Sequence, residues 1–230
     1  MSYILDLLPW PDLIAVLCLP AFWAGYSMIA DTVGRSHREL AQVMDGYRLD
    51  WMRRMLARDN RMADVNIIIA HHRSGALFAS TTILILAGIV AVLGNVDRLL
   101  VMIDQFSFAT LASKELIEVK VVAMLLIFVY GFFKFAWGLR QYNNALVMIG
   151  AASLPPDCDA DVTERYAAKT ARVLTRANAT FIRGMWAYYF GLATLTWFLH
   201  PYLFIAAVLL VVAVLYRRDF HSVTVKAMMG

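Results

Sequence analysis

Residues 121–137 carry one charged side chain, Lys134, and are otherwise apolar, aromatic or glycine. A helix of that kind matches the hydrocarbon core of a bilayer, which takes roughly 20 residues to cross. The helix pattern does not stop there. Arg140, Gln141, Tyr142, Asn143 and Asn144 follow directly, and the next strong helix stop is Gly150. Residues 118–150 therefore predict one helix that begins in lipid and ends with a cluster of donors at a membrane face.

The rest of the chain agrees with this reading. Hydrophobic residues make up 61% of the 230 residues, with a mean hydropathy of +0.62, against roughly 45–50% apolar residues in soluble domains. The expected fold is all-α, a single integral membrane domain that crosses the bilayer several times. The net charge of +4 resides in particular connecting segments, as membrane topology demands, so no nucleic-acid partner is inferred. Cys18 falls in an apolar run and Cys158 in a polar connection, which predicts neither a mutual disulfide nor a metal framework.

Taken in order, the first span is expected over 12–29, with Pro20 inside it. The preceding residues include Asp6 and lack Lys and Arg, unlike a signal peptide. Residues 31–73 hold Arg35, Arg38, Arg48, Arg53, Arg54, Arg58, Arg61 and Arg73. The positive-inside bias makes this segment cytoplasmic and the N-terminus external. Leu40, Met44, Tyr47, Trp51, Met55, Met62, Val65 and Ile69 recur at helical spacing, so one long amphipathic helix is predicted over about 36–70. It either lies on the inner leaflet or packs on other helices. Interleaved Asp45, Asp50, Asp59 and Asp64 favour packing.

The second span is expected over 75–95, with Ser80, Thr81 and Thr82 able to bond back to the helix or across to a neighbour. Residues 97–118 form an outer connection rich enough in Leu, Val, Ile and Phe to predict short helices against the membrane face. The third span is placed at 121–139, and Glu118 and Lys120 flank its outer entry as interface charges. Pro155 and Pro156 then forbid helix, and Asp161 with Glu164 resembles a capping box opening a second cytoplasmic helix over about 160–180. Val162, Tyr166, Val173, Ala177 and Phe181 give it an apolar stripe suited to packing on the first amphipathic helix.

The last apolar block, 184–216, exceeds one ordinary span and is interrupted by His200 and Pro201. It is either one tilted, kinked helix or two short spans, about 181–199 and 202–216. Two spans return Arg217, Arg218 and Lys226 to the cytoplasm and fit the bilayer thickness more closely. The favoured topology has five spans, the alternative four, with the N-terminus periplasmic and the C-terminus cytoplasmic.

Two constellations bear on function. His71 and His72 adjoin the inner end of the second span, but a metal site needs further converging ligands, and neither HExxH nor a CxxC pair is present. They are read as interfacial histidines and only weak metal candidates. His200 falls on the opposite face. Lys134, Arg140, Gln141, Asn143 and Asn144 form two adjacent polar stripes on one helix. They suit either a cationic, amide-rich vestibule for an ion or phosphate group, or plain snorkelling and inter-helix bonding. No GxSxG, P-loop, dinucleotide fingerprint or paired acidic motif occurs, so neither an enzyme nor a cofactor is expected.

The stretches FASTTILILAG, KFAWGLRQYNNALVMIGAA and WFLHPYLFIAAVLLVVAVLYRRDF resemble a family of bacterial inner-membrane proteins known as domain of unknown function 599. The resemblance runs from the first span to Arg218 and is most specific over 134–152. It implies a small multi-span inner-membrane protein and no particular activity. By motif, Lys134, Arg140, Gln141, Tyr142 and Asn143 correspond to the family's polar helix end.

The leading functional expectation is an oligomeric conduit for a small ion or solute, with Lys134, Arg140, Gln141, Asn143 and Asn144 at its cytoplasmic mouth. The alternative is an accessory or scaffold subunit of a larger membrane complex. A membrane enzyme using His71 or His72 ranks third.

Overall fold

The structure is a computed structural model, and it describes residues 9–32, 39–105, 113–153 and 159–220. The described residues form helices joined by turns: α1 (Trp10–Thr32), α2 (Glu39–Leu56), α3 (Met62–Leu93), α4 (Val96–Asp104), α5 (Lys114–Gly150), α6 (Ala160–Leu195), a 3₁₀ turn (Thr196–Phe198) and α7 (Pro201–Phe220). Four helices are long and apolar enough to cross a membrane: Trp10–Met28 of α1, α3, α5 and Pro201–Asp219 of α7. Arg35, Arg38, Phe106, Phe108, Leu111, Pro155, Pro156, Cys158 and Lys226 lie outside the described residues.

By contact the chain groups into two compact units. The first comprises Met1–Arg38, Thr82–Tyr130 and Trp186–Ser222; the second comprises Glu39–Thr81, Gly131–Met185 and Val223–Gly230.

In the first unit, helical segments run alternately up and down. Trp10 meets Tyr202 and Tyr26 donates to Asp219 at 2.7 Å, so α1 and α7 are parallel. Trp23 packs edge-on to Tyr130 while Asp12 pairs with Lys120, so α5 is parallel to them as well. The end of α6 runs the other way, with Trp197 on Asp12 and Trp186 on Tyr26. The end of α3 is likewise antiparallel to α5. The chain reverses at His200 and Pro201: Arg218 reaches the Tyr189 hydroxyl at 3.2 Å, 29 positions away in sequence, where an unbroken helix would separate them by about 43 Å. Residues 184–216 are thus two helices folded back on each other. Trp197 stacks on Phe204 beside the reversal, with centroids 5.2 Å apart.

In the second unit, Met52, Met55 and Leu56 of α2, Ile68 of α3, Tyr142, Ala145 and Ile149 of α5, and Ala167, Ala171, Leu174 and Ala177 of α6 form one core. Each large aliphatic side chain removed from water there contributes about 1.5–3 kcal/mol. The buried face of α6 is made largely of alanine, which lets the neighbouring helices approach closely. Gly138 of α5 faces the Ala177 carbonyl, where an added Cβ would come within 3.6 Å.

Several expectations shift. The helix predicted over 36–70 is two helices. Arg58 donates from Nε to the Arg54 carbonyl and so caps α2, and the Asn60 carboxamide oxygen accepts from the Met62 amide and opens α3. The buried faces also differ from the predicted stripe: Tyr47 of α2 and Met62 at the start of α3 are 55% and 64% exposed, while Met52 of α2 is buried. On α6 the predicted stripe residue Val162 is exposed. Asp159, not Asp161, sits before the first turn of α6 and accepts from the Asp161 amide. Glu164 bonds Arg53 of α2 instead, at 2.6 and 2.8 Å. That bidentate pair pulls the Glu164 carboxyl below its usual range. Gly150 ends α5, and Arg61 donates to the Ile149 carbonyl in its last turn and to the Ala152 and Ser153 carbonyls just beyond it. Of the hydroxyls expected in the second span, Thr81 bonds back to Leu77 and Thr82 reaches across to Tyr188.

Candidate functional site

The polar end of α5 divides between two faces. Phe135, Gly138, Tyr142, Ala145 and Ile149 recur at helical spacing and are buried, which turns the opposite side of the helix outward. Arg140, Asn143 and Asn144 stand on that outward side and are exposed. The Arg140 guanidinium lies over the Trp137 ring, 5.7 Å from its centroid. Lys134 and Gln141 sit at the shoulder, half-buried. Gln141 donates its amide to the Thr180 hydroxyl of α6 at 3.2 Å. The five predicted residues therefore do not form one surface: Arg140, Asn143 and Asn144 are available to a ligand or another chain, whereas Gln141 ties α5 to α6.

His71 is exposed, one turn after the buried Ile68, and its ring lies 5.8 Å from that of Tyr142. Its Nδ1 contacts the Ile67 carbonyl at 2.9 Å. A carbonyl only accepts, so Nδ1 carries the proton and Nε2 is the free ring nitrogen. His72 is half-buried. Among the described residues no three His, Cys, Asp or Glu side chains converge as metal ligands would.

A second constellation escaped the sequence reading. Lys120, expected as an interface charge, is 2% exposed and sits among three groups of the first unit. Its ammonium pairs with Asp12 at 3.1 Å and donates to the Trp197 carbonyl at 3.0 Å. The Trp197 indole donates to the same Asp12 oxygen at 2.8 Å. Asp12 itself is 5% exposed. In a medium of low dielectric such a triangle is favourable only when every member is present. The signal in the sequence was one Lys at the start of a span and one Asp at the start of another, far apart in number.

Asp64 is a third buried charge, in the second unit. It accepts from the Trp51 indole at 2.7 Å and lies 3.4 Å from Arg58, and its place in the first turn of α3 suits the helix dipole.

No curated protein and no solved structure matches this chain. The family described as "Protein of unknown function, DUF599" matches residues 14–224. A chain of apolar helices matched over almost its whole length in this way is a member of the DUF599 family.

Proposed function

We propose that the protein is an oligomeric bacterial inner-membrane protein that gives a small ion or solute a passive path, with Arg140, Asn143 and Asn144 at a cationic cytoplasmic mouth and Lys134 and Gln141 at its shoulder. The observation that carries this reading is the outward placement of Arg140, Asn143 and Asn144 on a helix apolar enough to span the bilayer. Polar side chains in that position need water, headgroups or another chain. Copies assembled with this face inward would line a wet, positively charged opening.

The topology belongs to the same proposal: five spans, N-terminus periplasmic, C-terminus cytoplasmic, with the second half of α6 as the fourth span. Its support is the fold-back at His200 and Pro201 and the burial of Trp186, Phe190, Ala193 and Trp197. A segment enclosed by other helices needs less hydropathy than one facing lipid.

The test is flux of small salts and polyols in proteoliposomes. The paired variant Lys134→Gln/Arg140→Gln is expected to lower anion permeation by about tenfold; unchanged flux removes the assignment. Co-purification of a different protein, with no flux from this chain alone, supports instead an accessory subunit docked on the same face.

A further inference from the structure

The geometry points to a binding site for a small monoanion in the second unit, walled by Arg48, His71, Tyr142 and Asn178. These four, with Trp51, Ile68 and Leu174, line a half-open pocket of about 30 Å³. One water needs roughly 10–15 Å³ by the same kind of measure, so the space suits chloride, nitrate or formate and excludes a large solute.

The polar lining is dominated by donors. Tyr142 is 4% exposed, and among the described residues its hydroxyl has no hydrogen-bond partner. The same holds for the Asn178 carboxamide. Arg48 commits Nη1 to Asp45 at 2.8 Å, which leaves Nε and Nη2 with no protein acceptor among the described residues. The Trp51 indole is taken by Asp64 and serves as wall. His71 holds its Nδ1 proton against Ile67 and presents Nε2 as an acceptor when the ring is neutral, a donor when it is charged. Guanidinium, phenol and carboxamide thus converge on one small space beside two aliphatic side chains, where charge-assisted bonds are stronger than in water. An anion can accept from all three donors at once. Asp45 offsets part of the Arg48 charge and also accepts from Thr175 at 2.7 Å, so binding on the order of 1–10 mM is expected rather than tighter. The pocket includes neither Arg140 nor Asn144, and the inference stands whether or not the chain conducts.

The experiment is calorimetric titration of the purified full chain in detergent with formate, nitrate and chloride. Ionic strength is held with gluconate, a monoanion too large to enter. Saturable binding is expected for the small anions, weakened about tenfold in both Tyr142→Phe and Arg48→Gln. If Arg48→Gln does not fold, Tyr142→Phe decides alone, because it removes one oxygen and keeps the ring in the core. Absence of saturable binding means the pocket holds only water and overturns the proposal. Equal affinity in folded Tyr142→Phe overturns it too.

Discussion

Lys120 has 2% of its surface exposed, and its ammonium is held by the Asp12 carboxylate and the Trp197 carbonyl. Removing one member of such a pair strands the other in a poor solvent, which costs about 3–5 kcal/mol, whereas replacing both by apolar groups is often neutral. Lys120→Met and Asp12→Leu are therefore each expected to lower the thermal stability of the detergent-solubilised protein strongly, and the double variant to recover most of the loss. Additive losses would mean that the two residues act independently. The sequence offered no route to this pair. Asp12 and Lys120 are joined only through the packing of α1 against α5, and Trp197 enters from the end of α6. Local pattern records which residues share a helix face, and it is silent on which faces meet.

At the scale of the element, the legible part was periodicity and the illegible part was phase. Residues 118–150 read as one helix, and α5 (Lys114–Gly150) is one helix. For α2 the helical spacing is visible in the sequence, but the aromatic Tyr47 in the predicted stripe is exposed, while Met52 is buried. On α6 the predicted stripe residue Val162 stays exposed, and alanines make the contact. Small side chains carry little hydropathy and still decide how closely helices pack. Gly191 shows this most directly. A Cβ there would lie 2.7 Å from Cζ of Phe128 and 2.8 Å from its Cε2, and Gly184 stands in the same relation to Phe135. Gly191→Ala is expected to cost about 1–3 kcal/mol by forcing the ring from its place. Adding Phe128→Leu should relieve most of that cost, measured by thermal unfolding in the same detergent. A neutral Gly191→Ala would show that the ring moves freely.

At the scale of the whole chain, parity carries the argument. Segments of α1, α3, α5, α6 and α7 alternate in direction within the first unit, so the start of α1 and the end of α7 lie at opposite ends of that unit. An odd number of crossings places the termini on opposite sides of a membrane; four crossings would place them on the same side. Charge then chooses the hand. Arg48, Arg53, Arg54, Arg58 and Arg61 precede α3 or open it, and Arg165, Arg172 and Arg176 lie in the first half of α6, whereas the connection from α3 to α5 is balanced by acids. On the proposed topology, the positive-inside bias sets the arginine-rich ends in the cytoplasm. Single-cysteine variants test both choices after Cys18→Ala and Cys158→Ser remove the native thiols. With a membrane-impermeant maleimide on intact spheroplasts, Ser113→Cys is expected to label at once, and Ser153→Cys and Arg217→Cys only after permeabilisation. Labelling of Arg217→Cys from outside, with Ser153→Cys still protected, would reduce the crossings to four and remove α6 from the membrane. Labelling of Ser153→Cys from outside, with Ser113→Cys protected, would invert the chain and move Arg140 and its neighbours to the periplasmic face.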